Sequence, residues 1–332
     1  MKLLFLGGTG NISTECAALL HKRGHEVLVL SRGQAAVPSE YGAVRADRKD
    51  MAAMRAALKG VEPEVVINFI GYDVPDVRLD YELFHSTVRQ YVFISSTVVY
   101  ARPAPRLPMT EETPRGNPLW DYAVKKLACE QWLQQRHLET GFPLTIVRPS
   151  HTYSKRWIPN PVSSGSYTFA ARLEQGKPVY IPDEGESPWT LTAASDFAAG
   201  LAGLVGKTEA IGEAFHITSD EVLTWNQIYA EIAAALGVSP QVVKVPTDFI
   251  CQVAPQMTGT LKGDKAHPGV FDNSKIKRFV PEFGCRTPFR QGVRESVRWL
   301  REHPDQQNLK PELDTLIEKV LMALDLGFAD RE

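Results

Sequence analysis

Short apolar runs alternate with amphipathic stretches along the first half of the chain. Segments of strand length, most of them apolar and bounded by glycine, proline or charged residues, are KLLFLGG, HEVLVLSR, the weaker YGAVRAD, PEVVINFIG, RQYVFISS and FPLTIVRPS. Between them, apolar residues recur with the period of an α-helix at residues 11–23, in RKDMAAMRAALKG and in LWDYAVKKLACEQWL. Strands that alternate with helices predict an α/β fold, a doubly wound parallel sheet with helices on both faces.

The pattern changes after Pro149. A polar and aromatic loop without clear period, SHTYSKRWIPNPVSSGS, is followed by shorter strand and helix segments, and residues 252–292 are irregular. Helical spacing returns at 289–302 and 310–326. We therefore expect a sheet domain over residues 1–150 and a smaller α/β C-terminal substrate lobe over residues 151–332, with the chain crossing back to the core. His216, in EAFHITSD, is expected in a strand of the lobe.

Composition excludes several classes of protein. The chain has 332 residues, 43% of them hydrophobic and 23% charged, which is typical of a globular protein. A net charge of −2 favours neither nucleic acid nor an anionic membrane as partner. The apolar run near the N-terminus is too short for a signal peptide, and no apolar stretch approaches the length of a membrane span. We therefore expect a cytoplasmic protein.

Cysteine and histidine usage gives no sign of a metal. The cysteines are far apart and form no CxxC pair, so we expect reduced thiols at Cys16, Cys129, Cys251 and Cys285. No group of His, Cys and Asp residues has the spacing of metal ligands. The sequence therefore predicts no metal site.

A glycine cluster follows the first strand and precedes the first helix. In FLGGTGNIS, glycines at this position permit the backbone to approach a pyrophosphate at the helix N-terminus. Ser13 stands where a third glycine is usual, and it is small enough to keep the site. A tight turn without ligand is the alternative. The predicted dinucleotide contacts are Gly7, Gly8, Thr9, Gly10, Asn11 and Ile12.

The end of the second strand bears on the choice of cofactor. Folds that bind NAD usually place an acidic residue there, whereas an arginine suits the 2′-phosphate of NADP. Here the chain has Ser31 and Arg32 with no acid. We expect NADP, with NAD as the alternative in case Arg32 is only a solvated loop residue.

Tyr122 and Lys126 lie four residues apart on a predicted helix and therefore share a face. A lysine ammonium close to a tyrosine is expected to lower the pKa of the phenol. A phenol tuned in this way can transfer a proton near neutral pH. Alone, this spacing is a weak motif, and two polar residues on a helix surface remain an alternative.

The motifs occur in the order seen in one family. GGTGNIS, RADRKD, NFIGY, FISSTVVY, YAVKK and VRPSHTY resemble extended short-chain dehydrogenase/reductases of the NAD(P)-dependent epimerase/dehydratase branch, across residues 1–300. The segments WTLT and HPGVFDNSKIKRFVPEFG are similar to a subgroup that includes chloroplast stem-loop-binding proteins. Some of those bind RNA and lack the Tyr-Lys pair, which this chain retains. The resemblance implies a Rossmann fold.

The resemblance also implies roles for residues. Tyr122 is implied as the general acid/base, Lys126 as the group that lowers its pKa and holds the nicotinamide ribose, and Ser96 as a hydrogen-bonding partner of the reacting oxygen. Further cofactor contacts are implied at Ser31, Arg32, Asp47, Arg48, Phe69, Ile70, Gly71, Lys126 and Pro149.

Departures from the family pattern narrow the expected function. Thr97 and Val98 replace the acidic pair with which family dehydratases eliminate water, so sugar dehydration is not expected. Trp189 replaces an arginine that holds a nucleotide diphosphate, and a tryptophan can instead stack on a sugar. The segment 73–89 shortens a helix that often forms the dimer, so we expect a monomer or a homodimer.

Loops that face the nicotinamide are expected to hold the substrate through Tyr72, Thr97, His151, Tyr153, Arg156, Trp157 and Trp189. The sequence thus predicts an NAD(P)-dependent epimerase or oxidoreductase acting on a hydroxyl or keto group of a sugar or sugar-nucleotide-like molecule. The alternative is a nucleotide-sensing or RNA-binding protein without turnover, since a fold does not fix a function. The retained Ser96, Tyr122 and Lys126 favour the enzyme.

Overall fold

A parallel sheet forms the centre of the protein. The computed structural model describes residues 1–34, 36–163 and 165–329. Within these ranges, seven strands form one sheet in the order β11-β6-β5-β4-β1-β2-β3, and each neighbouring pair is parallel. The strands are β1 (Lys2–Leu6), β2 (Glu26–Ser31), β3 (Gly42–Arg45), β4 (Val65–Asn68), β5 (Gln90–Ile94), β6 (Leu144–Pro149), β7 (His151–Tyr153), β8 (Val179–Pro182), β9 (Pro188–Trp189), β10 (Leu191–Ala193), β11 (Ala214–Ile217), β12 (Leu223–Thr224) and β13 (Val242–Val245).

Helices cover both faces of the sheet. Apolar residues of α1, α6 and α10 pack on one face, and those of α2, α3 and α4 pack on the other. The helices are α1 (Ser13–Lys22), α2 (Met51–Ala57), α3 (Val74–Phe84), α4 (Asp121–Thr140), α5 (Thr168–Glu174), α6 (Ala194–Leu204), α7 (Trp225–Leu236), α8 (Thr247–Val253), α9 (Thr258–Thr260), α10 (Ser274–Phe279), α11 (Phe289–Glu302) and α12 (Pro311–Ala329). This is the predicted doubly wound α/β fold, a Rossmann-like sheet with a smaller C-terminal region.

The edge strand β11 corrects one prediction. His216 was expected in a strand of the lobe, but it pairs with Arg148 of β6 at the edge of the central sheet. The two residues are far apart in sequence, and such pairing leaves no local signal. Because α6 and α10 also pack on this sheet, the central core takes in much of the chain beyond residue 150.

The remaining elements form the lobe. The strand pairs β7–β10 and β9–β12, together with β8, surround a second apolar core that also holds α5, α7 and α11. Apolar residues of β13, which pairs with β8, form a further cluster with α8 and α12. Residues 252–292, expected to be irregular, contain short helical segments, including a π-helical turn at Leu261–Lys265. In the part of the chain that the structure describes, no helix has the length and apolarity to cross a membrane.

Candidate active site

The loop after β1 packs closely on its neighbours because of its glycines. Gly7 has a φ of +84°, and a Cβ there would lie 2.4 Å from Cγ2 of Ile70. A Cβ on Gly8 would meet Val29, so Gly8 packs the loop against β2. The backbone NH of Gly10 donates to Oγ of Ser13 over 2.9 Å, and Ser13 is buried. The serine thus replaces the usual third glycine without blocking the turn.

Asn11 joins this loop to the strand β7. Its Nδ2 donates to the Thr152 carbonyl over 3.0 Å. Its Oδ1 accepts from the backbone NH and the hydroxyl of Ser154 over 3.1 and 2.6 Å. The side chain predicted to contact a cofactor therefore holds two segments of protein together, and any cofactor contact falls to its backbone.

Two clefts meet at the carboxyl ends of the central strands. The larger, of about 570 Å³, contains Gly7, Thr9, Ser31, Arg32, Asp47, Arg48, Ile70 and Tyr72 among its lining residues. The other, of about 420 Å³, includes Gly7, Gly10, Asn11, Ile12, Phe69, Ile70, Tyr72, Ser96, Thr97, Tyr122, Lys126, Pro149, His151, Trp157 and Trp189. Since the clefts share Gly7, Ile70 and Tyr72, they form one continuous path past the glycine loop. After the roles expected from the sequence, we call them the adenosine cleft and the reaction cleft.

The reaction cleft brings Tyr122 and Ser96 together. Ser96 follows β5 and precedes the 3₁₀ turn Thr97–Val99, while Tyr122 lies in the first turn of α4. Burial raises the pKa of Tyr122 above its ordinary value, and a hydrogen bond with the Ser96 side chain acts in the opposite direction. The predicted lowering of this pKa is therefore wrong for this structure, because burial outweighs the favourable contacts.

Lys126 lies beneath Tyr122 and is buried. Its Nζ donates to the carbonyl oxygens of Gly71 and Ile94, each over 2.8 Å, and lies 5.9 Å from the centre of the Tyr122 ring. Burial lowers the pKa of Lys126 to about 8. The lysine is thus held at the ends of β4 and β5, next to the phenol and inside the cleft.

Cationic and hydroxyl groups line the adenosine cleft. Arg32 is exposed, and its guanidinium donates to Gln34 over 3.3 Å. Ser31 Oγ accepts from the backbone NH of Gly33, and Asp47 accepts from that of Lys49. Lys49, which was not predicted from the sequence, adds a second exposed cation to the cleft.

Arg48 lines the adenosine cleft, but its guanidinium is paired within the protein. Its guanidinium is buried and forms an ion pair with Asp80 at 3.0 Å. It also donates to the carbonyl oxygen of Asp76 over 3.0 Å. Arg48 lines the cleft, but its charge is used to fix α3 on the sheet.

The predicted substrate residues divide into two groups. Tyr72, with 52% of its surface exposed, lies in the reaction cleft together with Thr97, His151 and Trp157. Tyr153 and Arg156 are not among the residues lining it. Tyr153 packs under α11 against Phe289, at a ring distance of 5.5 Å, and Arg156 lies over the ring of Trp299. The predicted substrate contact is wrong for Tyr153, which is buried in the lobe core, whereas for the exposed Arg156 it stays a prediction.

Trp189 borders the reaction cleft without offering a stacking surface. Its side chain is only 1% exposed and packs against Trp225 and Gly269. Its Nε1 donates to the Lys265 carbonyl over 3.1 Å. The prediction that Trp189 stacks on a sugar is wrong in this structure, since its ring faces are covered by protein.

Several residues of the reaction cleft were not predicted from the sequence. The π-helical turn places Asp264 and Lys265 in the reaction cleft, although TLKGDK shows no period that predicts a site. Further unforeseen lining residues are Ser95, Val98, Trp120, Ser150 and Thr152. Across the described ranges, no group of three or more His, Cys, Asp or Glu residues is arranged to hold a metal ion.

Comparison with known proteins agrees with this geometry. Residues 3–218 match the model of the NAD dependent epimerase/dehydratase family. A 2′-dehydrokanamycin reductase of Streptomyces kanamyceticus is 28% identical over 306 residues, which cover 90% of this chain and 84% of the reductase. A 41 kDa chloroplast stem-loop binding protein of Arabidopsis thaliana is 26% identical over 268 residues, 75% of this chain and 67% of that protein.

The fold is also found among solved structures. A UDP-glucose 4-epimerase of Thermotoga maritima, solved with UDP-glucose, superposes with a TM-score of 0.75 at 18% identity, covering 91% of this chain and 99% of the epimerase. At this identity the likeness shows the shared fold alone.

Proposed function

The chain belongs to the NAD dependent epimerase/dehydratase family, and on this premise we propose that it is an NADP(H)-dependent reductase of a ketone on a sugar-like substrate. One observation carries the proposal. Tyr122, Ser96 and Lys126 line the same cleft, with the ammonium nitrogen of Lys126 5.9 Å from the centre of the Tyr122 ring, so a phenol that carries its proton faces the proposed substrate site. Reduction of a ketone needs such a proton donor beside the carbonyl oxygen.

The proposal assigns the two clefts to a nicotinamide dinucleotide. A side chain on Gly7 would collide with Ile70, so the tight turn after β1 requires glycine. In the proposal, the backbone of this turn approaches the pyrophosphate. Arg32 and Lys49 suit the 2′-phosphate of NADP, because charged donors bind phosphate oxygens strongly. At the other end, Lys126 lines the reaction cleft, and the proposal gives it the nicotinamide ribose as ligand.

The chain's own residues then supply the proton and the orientation. When bound, the reduced nicotinamide supplies a hydride to the carbonyl carbon. The Ser96 hydroxyl orients the carbonyl oxygen towards Tyr122, whose hydroxyl donates its proton to that oxygen. The ammonium of Lys126 stabilises the resulting phenolate, which regains a proton from solvent. Ketone, hydride and proton together give the alcohol.

The relatives support a reductase more than a dehydratase. The kanamycin-related protein is named as a reductase, and it aligns with 90% of this chain. Val98 cannot act as the acid or base that elimination of water requires. The buried Trp189 cannot pair with a nucleotide diphosphate, so the proposed substrate is a sugar-like ketone without a nucleotide.

Two measurements test this proposal. Consumption of NADPH is followed with a panel of neutral, anionic and amino keto sugars, and stoichiometric formation of the alcohol is expected with at least one of them. The nucleotide that copurifies is identified by mass spectrometry. Tightly held NAD⁺ that does not exchange, with interconversion of two epimers and no net reduction, would instead indicate an epimerase. RNA binding without any NADPH consumption would indicate the function suggested by the stem-loop binding relative.

A further inference from the structure

A buried cluster of charges lies at the substrate end of the reaction cleft, and the proposed chemistry does not use it. It consists of Arg102, Asp264 and Lys265, which we call the charge triad. The side chains are 0%, 1% and 8% exposed, respectively. Asp264 and Lys265 line the same cleft as Tyr122. Charges so deeply buried are costly unless they are paired or serve a function.

The triad is held rigidly. Nη1 of Arg102 donates to the carbonyl of Pro268 over 3.0 Å, and Nη2 lies 3.2 Å from Oδ1 of Asp264. The ammonium of Lys265 binds Oδ2 of the same carboxylate and lies 4.2 Å from the ring centre of Trp189. Such a fixed geometry is typical of a binding group placed in advance of its ligand.

The backbone of Lys265 is fixed as well. Its carbonyl oxygen accepts hydrogen bonds from the indole nitrogens of Trp189 and Trp225, over 3.1 and 2.9 Å. The residue ends a π-helical turn, and such turns occur frequently at functional sites. The lysine is therefore presented to the cleft by the backbone rather than by a flexible loop.

The charges of the triad do not cancel. Two cations share one carboxylate, which leaves a formal charge of +1. Burial lowers the pKa of Lys265, and the Asp264 carboxylate acts in the opposite direction and favours the ammonium. Burial and Lys265 lower the pKa of the neighbouring His151, which is therefore neutral. Among the described residues that line the reaction cleft, Asp264 is the only carboxylate.

The sign of this charge selects between two kinds of substrate. An ammonium group would meet a carboxylate whose oxygens already bind Arg102 and Lys265, and it would approach two cations. An anionic group would meet the uncompensated positive charge in a site of low dielectric, where attraction between charges is strong. The cleft is thus unsuited to the cationic ring of an aminoglycoside.

We propose that Lys265, held by Arg102 and Asp264, is a specificity-determining residue that binds an anionic substituent of the substrate, a carboxylate or a phosphate ester. The inference rests on the proposed function in taking the reaction cleft as the substrate site. It goes beyond that function by giving the substrate a charge.

The test is equilibrium binding to the full-length protein saturated with NADP⁺, so that anions are kept from the cofactor's phosphate positions. D-glucuronate, D-glucose 6-phosphate, D-glucose and D-glucosamine are titrated by calorimetry. At least one of the two anions is expected to bind about 10-fold or more tightly than glucose, and glucosamine more weakly than glucose. The stronger anion shows whether a carboxylate or a phosphate ester is preferred.

Variants assign the preference to the triad. Lys265→Met should reduce the preference for the anion over glucose to less than about 2-fold. Asp264→Asn should preserve or increase this preference, because the local charge becomes more positive. Lys262→Met is the matched control, since this exposed lysine of the same turn pairs with Asp248. If Lys265→Met fails to fold, Asp264→Asn provides the test, because loss of the anion preference in that variant contradicts the proposal.

Equal binding of the four sugars overturns the inference, as does the absence of measurable binding by any of them. An anion preference that persists in Lys265→Met also overturns the inference. Because the readout needs no turnover, a failure of NADPH-dependent reduction contradicts the proposed function alone. Reduction that proceeds without any anion preference contradicts the inference alone.

Discussion

The side-chain amide of Asn117 donates a hydrogen bond to the carbonyl oxygen of Gly263 over 2.6 Å. The same nitrogen donates to the carbonyl of Val98 over 3.0 Å. One buried side chain thus joins the turn that follows Ser96 to the π-helical turn that carries Asp264 and Lys265. Asn117 therefore connects the groups proposed for proton transfer with those proposed for substrate selection.

Replacing Asn117 with alanine should therefore affect both stability and turnover. Two buried carbonyls lose their donor, and we expect the free energy of unfolding to fall by about 1–3 kcal/mol. Turnover should fall about 10-fold while NADPH affinity stays within about 2-fold, because the glycine loop is not touched. Urea denaturation and steady-state kinetics measure these effects. Gln135→Ala, an exposed change on α4, is the control, and equal effects in both variants would contradict the positioning role.

Arg32 should set the preference for NADP(H). The 2′-phosphate contact of an arginine is a charged hydrogen bond, so Arg32→Ala should weaken NADPH binding about 10-fold and leave NADH binding within about 2-fold. Titration of nucleotide-free protein with both cofactors measures this. Lys59→Ala provides a control in an exposed residue outside the clefts. Wild-type protein that binds NADH as tightly as NADPH would show that Arg32 is a solvated loop residue.

Lys126 should change how the free energy of unfolding depends on pH. Its pKa is lowered to about 8 in the folded protein, whereas the unfolded chain keeps an ordinary lysine pKa of about 10.4. Between these values the unfolded state binds more protons, so rising pH stabilises the folded state. Relative to Lys126→Met, the wild-type unfolding free energy should increase between pH 7.5 and 10, by up to roughly 3 kcal/mol.

Urea denaturation of both proteins at several pH values in that range measures the difference. Other titrating groups are common to the two proteins and therefore cancel. A difference that stays constant, or that shrinks as the pH rises, would show that Lys126 is not a buried ammonium with a depressed pKa.

Much of the framework was predictable because its signals are local. The glycines after β1, the apolar strands and the pair of Tyr122 and Lys126 each depend on residues within one or two turns of each other. The boundaries of α11 and the start of α12 follow in the same way from helical spacing. From these features, the proposed cofactor path and the proposed proton donor can be located in the sequence alone.

The errors come from contacts between distant parts of the chain. Tyr153 packs against Phe289, which is distant in sequence. The strand β11 joins the central sheet by pairing with β6, and no local sequence pattern predicts this pairing. Asp264 and Lys265 enter the cleft only because a π-helical turn forms against Asn117. The pKa of Tyr122 was mispredicted because spacing shows a neighbouring charge but not the depth of burial.

The raised pKa of Tyr122 predicts a difference between the two reaction directions. The phenol is protonated throughout the neutral range, so the rate of ketone reduction should change little between pH 6 and 7.5. Oxidation of the alcohol requires a proton acceptor, and its rate should rise with pH to at least pH 9. Initial rates with NADPH and with NADP⁺ measure the two profiles. Oxidation that is fastest below pH 7 would contradict the assignment of Tyr122 as the proton carrier.

The central claim is that Tyr122 donates the proton during hydride transfer from NADPH to a ketone. Single-turnover reduction with NADPH deuterated at C4 tests it most directly, with product analysed by mass spectrometry. The account predicts one deuterium at the new carbinol carbon, and a rate about 10²-fold or more lower in Tyr122→Phe with NADPH affinity nearly unchanged. Tyr81→Phe, on α3, should react at the wild-type rate. Deuterium transfer at the wild-type rate in Tyr122→Phe would contradict the account.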